Sequence, residues 1–163
     1  MRIWVDADAC PQPIKSILYR AAERVQVECT FVANKMLRLP RSAHLHIMQV
    51  QGGPQVADDK IAELVQPGDL VITADVPLAS RAVKAGALAL NPRGTLYSEE
   101  NIGERLAVRD FLTDLRSDGI RTGGPPPLDN RHKQAFANAL DRILTDYAQR
   151  RERDGDSWTG RHD

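Results

Sequence analysis

The sequence predicts an α/β protein: a central parallel sheet with helices packed against both of its faces. Short apolar runs alternate with stretches whose apolar residues recur at helical spacing. That alternation is the signature of βαβ units, which pair strands in parallel and cover the sheet with helices. In addition, Asp6, Asp8 and Asp75 fall just after the runs that would be strands one and four. Those are carboxyl ends, where open parallel sheets bind ligands.

Residues 2–5 (Arg-Ile-Trp-Val) read as the first strand, closed by Asp6. Pro11 or Pro13 opens the first helix, since a first-turn proline loses no hydrogen bond. Ile14, Ile17, Leu18, Ala21, Ala22 and Val25 make its apolar face. Residues 27–33 are a second strand, 34–44 a polar connection with Lys35, Arg38, Pro40 and Arg41, and 45–50 a third strand. Gly52-Gly53-Pro54 breaks the chain before a short helix over 56–65, with Ile61, Leu64 and Val65 inward. After the Pro67-Gly68 turn, residues 69–74 are the clearest strand, ending at Asp75. A helix over 77–85 is capped by Gly86, and 87–90 form a fifth strand. Asn91-Pro92-Arg93-Gly94 is a loop. A helix over 99–117 is stopped by Gly119, and Gly123-Gly124-Pro125-Pro126-Pro127 is a stiff connector. The last helix covers 130–150, with Phe136, Leu140, Ile143, Leu144 and Tyr147 on one face. Residues 151–163 are charged and aperiodic, so a disordered tail is expected after a single domain over 1–150.

A chain of 163 residues suits one domain, large enough to bury a core without staples. Cys10 and Cys29 make neither a disulfide framework nor a zinc motif. Lys plus Arg (22) balance Asp plus Glu (22), which argues against a strongly basic nucleic-acid binder and leaves room for a local basic patch. The opening MRIWVDADAC lacks the apolar run of a signal peptide, and no stretch approaches the ~18 apolar residues of a membrane span. A cytoplasmic protein without membrane association is expected. No residue pattern specifies an oligomeric state.

Three acidic groups stand out: Asp6-Ala7-Asp8, Asp58-Asp59 and Asp75. Carboxylates brought together repel, and their clustering costs stability unless a cation neutralises them or one keeps a proton. Hard oxygen ligands suit Mg²⁺ or Mn²⁺. Asp6, Asp8, Asp58 and Asp75 are the expected ligands, and Asp59 is a further catalytic candidate. A plainer role exists for several of them. Asp8 and Asp75 each precede a helix and could be caps or turn residues, and Asp58 and Asp59 could favour a helix dipole. Asp6 is neither needed as a cap nor comfortable at the end of a buried strand, so the set as a whole points to a shared metal site.

Arg93 follows the fifth strand at the same sheet edge and Lys15 lies on the first helix. Each could contact a phosphate or pair with the aspartates. Lys35, Arg38 and Arg41, with His44 and His46, could form a phosphate-contacting patch or an ordinary solvated loop. Cys10 sits beside the expected site without a fixed base and reads as a buried structural thiol. Cys29, Trp4 and Phe111 read as core.

Five segments together are specific: Val5-Asp6-Ala7-Asp8-Ala9-Cys10-Pro11, Ala57-Asp58-Asp59-Lys60-Ile61, the run from Asp69 to Pro77, Asn91-Pro92-Arg93-Gly94, and Gly123-Gly124-Pro125. In them the chain resembles the YaiI/YqxD family of uncharacterised bacterial proteins over about residues 1–150. That family has no settled activity and in turn looks like a branch of the PIN-domain-like nucleases. Asp6 fills the place of their first aspartate, Asp58 or Asp59 the mid-chain acid, and Thr73-Ala74-Asp75 the Thr-x-Asp motif, followed by Leu78, Ala82 and Gly86. The resemblance implies a three-layer fold with strand order 3-2-1-4-5, which would set strands one and four side by side. It also implies metal-dependent phosphodiester cleavage in RNA or a short oligonucleotide, with Thr73 near the substrate.

Two other functions compete. Asp6-x-Asp8 after a strand resembles the nucleophile and acid of haloacid-dehalogenase-like phosphatases, but their acidic pair comes last, whereas Asp58-Asp59 precedes Thr73. A receiver domain fails similarly, since Asn91-Pro92-Arg93 follows the fifth strand where that fold has a lysine. A non-catalytic RNA-binding or regulatory protein is the third reading, weakened by net neutrality and the lack of an aromatic stacking surface.

Overall fold

Apolar residues on both sides of a strand require cover on both sides of the sheet, and the chain supplies it. A computed structural model describes residues 1–117 and 127–160, with side chains over 1–108 and 127–154. The strands are β1 (Arg2–Asp6), β2 (Glu28–Ala33), β3 (Leu45–Gln49), β4 (Leu70–Ile72) and β5 (Leu88–Leu90). The helices are α1 (Gln12–Val25), α2 (Pro54–Leu64), α3 (Val76–Lys84), α4 (Glu99–Ser117) and α5 (Asn130–Gly160). All strand pairs are parallel and the order is β3-β2-β1-β4-β5. The chain builds outward from β1 to β3, then crosses back to place β4 on the other side of β1. Strand order therefore reverses between β1 and β4.

Period-2 alternation divides the core in two. Ile3, Val5, Cys29, Phe31, Leu70, Ile72 and Leu90 face one layer, where Ile14 and Leu18 of α1 meet Phe136, Leu140 and Leu144 of α5. Trp4, Val32, Val71 and Ala89 face the other, against Ala57 and Ile61 of α2, Leu78, Ala79 and Ala82 of α3, and Ile102 of α4. The three-layer α/β architecture follows.

The pairing of β1 with β4 is closed at its amino end by Asp69. This buried carboxylate accepts from the Arg2 amide (3.0 Å), the Trp4 indole Nε1 (3.1 Å) and the Gln66 amide (2.9 Å). One side chain thus joins the start of β1 to the turn before β4. Asp69 was expected inside the strand, but this role leaves β4 only three residues long. A second close contact needs glycine. At Gly94 (φ +95°), a Cβ would stand 2.6 Å from the Ala135 carbonyl carbon, so only glycine lets the Asn91–Gly94 loop seat against α5.

Other boundaries lie within two residues of expectation, apart from α5. That helix passes 150 without a break, because Gln149, Arg150, Arg151, Glu152 and Arg153 are good helix formers. Arg151 donates to the Val25 carbonyl (3.1 Å) and stacks over Tyr147. The stretch expected as a disordered tail is thus helical as far as Gly160. Residues 161–163, the Gly119 stop and the connector as far as Pro126 lie outside the described residues, as does the side chain of Phe111. Among the described residues, no helix is long and apolar enough to cross a membrane.

Asp69→Ala should leave three donors without their acceptor, one of them a buried indole N–H. We expect a loss of about 3 kcal/mol in urea unfolding followed by circular dichroism. Asp69→Asn, which keeps one acceptor oxygen, should lose less.

Candidate carboxylate site at the β1–β4 switch

Register builds the site. Val5 pairs with Ile72, so the next residues in line are Asp6 and Thr73. The Thr73 hydroxyl donates to Asp6 Oδ2 (3.1 Å) and accepts from the Asp75 amide (2.9 Å). Asp75 is the N-cap of α3, where its Oδ2 accepts from the Leu78 amide (2.9 Å). The capping role weighed for Asp75 is therefore real, and it fixes the side chain at the same sheet edge as Asp6. Asp58 enters from α2.

Electrostatics joins the three. Burial, then the charges of Asp6, Asp75 and Asp59, push the Asp58 carboxyl up to about 7, with Arg81 acting in the opposite direction. Burial also raises Asp6; the Thr73 hydrogen bond opposes this, and the charges of Asp75 and Asp8 add to it. The Asp75 charge thus raises the cost of ionising both Asp6 and Asp58, and the Asp6 charge adds to that at Asp58.

Asp8 and Asp59 face other partners. Asp8 is exposed and accepts from the amides of Asn34 (2.7 Å) and Lys35 (3.3 Å) and from Asn34 Nδ2 (3.3 Å). Its slight burial works upward, but these donors and the Lys35 charge bring its carboxyl below the usual range. Asn34 in turn clamps Gly53, donating Nδ2 to the Gly53 carbonyl (2.8 Å) and accepting the Gly53 amide at Oδ1 (2.9 Å). Gly53 opens α2, so Asp8 helps to set the helix that carries Asp58. Asp59 bonds Arg81 Nη1 (2.7 Å) and Gln55 Nε2 (2.9 Å) at the surface, tying α2 to α3. The Arg81 bond leads the effects that hold its carboxyl low.

The remaining candidates divide similarly. Arg93 is half-buried on the loop facing α5, with Nη1 3.3 Å from the His132 ring and its amide on Asn91 Oδ1 (2.8 Å). Lys15 is buried on α1 beside Cys10; burial pushes that thiol up to about 12, against the pull of the Lys15 charge. A buried thiol held protonated is structural, as expected. The basic patch separates: His46 hydrogen-bonds Glu28, His44 stands 3.6 Å from the same carboxylate, and Arg41 turns toward α1.

Sequence reading missed Asn34, Arg81, Tyr97 and Arg105. Tyr97 is buried, held by its amide to the Ala89 carbonyl (2.9 Å) and by Asn91 Nδ2 to its hydroxyl (2.9 Å). Burial raises its phenol and the Asp75 charge raises it further, which puts it at the border of the carboxylates. Arg105 lies 5.2 Å over its ring. None of these has a periodic signal, because each is placed by a loop or a neighbouring helix.

As placed, no three His, Cys, Asp or Glu side chains among the described residues stand together as a metal ligand set. The chemistry of the donors nevertheless fits a hard cation. Asp6 Oδ1, Asp75 Oδ1 and both Asp58 oxygens have no hydrogen-bond or ion-pair partner among the described residues. They are uncompensated carboxylate oxygens of the kind that suits Mg²⁺ or Mn²⁺.

Fold and residue placement together define a parallel α/β protein with aspartates gathered at its topological switch point, where open parallel sheets bind ligands. The profile described as "Uncharacterized BCR, YaiI/YqxD family" matches residues 4–146, and the chain belongs to that family. It is 56% identical to a UPF0178 protein of Hydrogenovibrio crunogenus over 151 residues, covering 93% of this chain and 100% of that one. It is 59% identical to one from Desulfotalea psychrophila over 144 residues, covering 88% and 97%. No solved structure matches it.

The raised Asp58 gives a pH signature. In the folded protein this carboxyl holds its proton up to about 7, against 3.8 when unperturbed. Between those values the folded state binds the extra proton, so stability falls as pH rises. In chelator-containing buffer, Asp58→Asn should flatten that fall, leaving the variant most stabilised relative to the parent above pH ~7 and least below pH ~4. Melts across this range test it; parallel curves would mean Asp58 titrates normally.

Proposed function

We propose that this protein is a metal-dependent hydrolase of phosphodiester bonds, acting on RNA or a short oligonucleotide. The observation that carries the reading is the gathering of Asp6, Asp58 and Asp75 beyond two adjacent central strands, where burial and neighbouring charge raise Asp6 and Asp58 and each of the three keeps an oxygen without a donor among the described residues. These three residues would hold Mg²⁺ or Mn²⁺, which when bound supplies an activated water and neutralises charge on a phosphate. Thr73 anchors Asp6 by one oxygen and the Leu78 amide anchors Asp75 by one, so the free oxygen of each is held in a set direction. Arg81 and Arg105 border the carboxylates and can meet phosphate oxygens.

The haloacid-type phosphatase reading asks Asp8 to donate a proton beside Asp6. Asp8 is held low by amide donors, which makes it a poor acid, and its oxygens are taken by Asn34 and Lys35. The hydrolase reading does not need Asp8 in that role.

Asp75→Asn removes a charge and keeps a cap, since Asn caps helices about as well as Asp. The parent should gain about 2.7 kcal/mol at a hundredfold excess of Mn²⁺ over its dissociation constant. The variant should gain much less, and Mn²⁺-dependent cleavage of single-stranded RNA should fall in both Asp75→Asn and Asp58→Asn. Thermal melts with and without Mn²⁺ decide. Equal shifts in parent and variant would sink the reading and leave Asp75 a cap alone.

A further inference from the structure

A cavity of about 640 Å³ opens between α1 and the connection from β2 to β3, lined by α1 from Ser16 to Arg24 and by Pro40 to Ser42. Its size is within the roughly 300–1,000 Å³ of small-molecule sites. None of the carboxylate residues described above lines it.

The lining has two characters. Tyr19 and Leu45 form an apolar wall, and the Tyr19 ring is fixed edge-on against Phe31, with centroids 5.4 Å apart. Three arginines, Arg20, Arg24 and Arg41, reach the cavity, against one acid, Glu23. With Glu23 and the Asp141 carboxylate that offsets Arg24 both counted, three positive charges less two negative leave one. Arg24 is engaged by Asp141 at 3.0 Å. Arg20 and Arg41 have no hydrogen-bond or ion-pair partner among the described residues. In a chain whose charges balance overall, that local excess attracts an anion.

We infer that this cavity binds a nucleotide unit, either a free nucleoside monophosphate or one residue of an oligonucleotide. A phosphodiester within a chain carries about one negative charge, which matches the excess of one, and a phosphate monoester carries roughly −1.5 to −2 near neutral pH. Guanidinium groups meet phosphate oxygens bidentately. A phosphate alone would leave the apolar wall in water, whereas a base covers it and stacks on Tyr19 or an arginine plane. Ser16 and Ser42 add hydroxyls at the rim for a sugar. The inference is independent of the carboxylate site, because no residue is shared.

The test uses the full chain in chelator-containing buffer. Binding of UMP and AMP is followed by calorimetry and saturation-transfer NMR, and of a labelled single-stranded RNA decamer by anisotropy. We expect saturable binding, weakened about tenfold or more by the double change Arg20→Ala and Arg41→Ala, and unchanged by Arg142→Ala, which removes an exposed arginine of α5 outside the cavity. Both arginines are exposed, so the double variant should melt like the parent. If UMP displaces the decamer, the ligand is the free nucleotide. If only the decamer binds and the double variant weakens it, the unit is read within a chain. Either supports the inference. Three results would overturn it: no saturable binding of either ligand, unchanged affinity in the double variant, or inorganic phosphate competing as well as UMP.

Discussion

The parallel pairing of β1 with β4 is the constraint on which the rest of this structure depends. Three residue pairs define it, and a side chain closes each end. Asp69 gathers Arg2, Trp4 and Gln66 at the amino end, while Thr73 joins Asp6 to the Asp75 amide at the carboxyl end. A slip of one residue along β4 would turn Val71 from one core layer into the other and separate Thr73 from Asp6. Register, core division and site geometry are therefore one choice, made where strand order reverses.

That choice places charge where it is uncomfortable. Asp6 and Asp58 are both raised by burial and by neighbouring carboxylates, so the folded chain holds them at a cost. The surroundings limit the cost without removing it. Thr73 and the Leu78 amide each satisfy one oxygen, and Arg81 lies close enough to oppose the rise at Asp58. A protein under selection for stability alone would favour asparagine or a paired cation there. Retaining three carboxylates with free oxygens is what makes the site a candidate for binding a cation.

The supporting carboxylates show a division of labour. Asp8, Asp59 and Asp69 are all satisfied by donors, and each joins two elements: β1 to the segment after β2, α2 to α3, and β1 to the turn before β4. Among the described residues, Asp6, Asp58 and Asp75 keep oxygens without a donor. By composition the two groups are the same residue type. Only the count of nearby donors separates a structural aspartate from one available to a ligand.

Much of the fold was legible in the sequence, since burial on both sheet faces writes apolar runs and helical periodicity into the chain. The strands ending at Asp6 and before Asp75 were readable for that reason, as were the helix opened by Pro11 or Pro13 and the one that follows the Gly52-Gly53-Pro54 break. The family resemblance supplied the strand order that periodicity cannot specify. The partners of each carboxylate were beyond local sequence. Asp8 looked like a ligand because it follows Asp6 by two, yet Asn34, 26 residues away, holds it. Tyr97 and Arg105 border the site without any pattern of their own. Local spacing determines which residues can reach the carboxyl edge of the sheet. Which of them arrive unsatisfied depends on amides and side chains brought in from distant segments, and tertiary packing alone decides that.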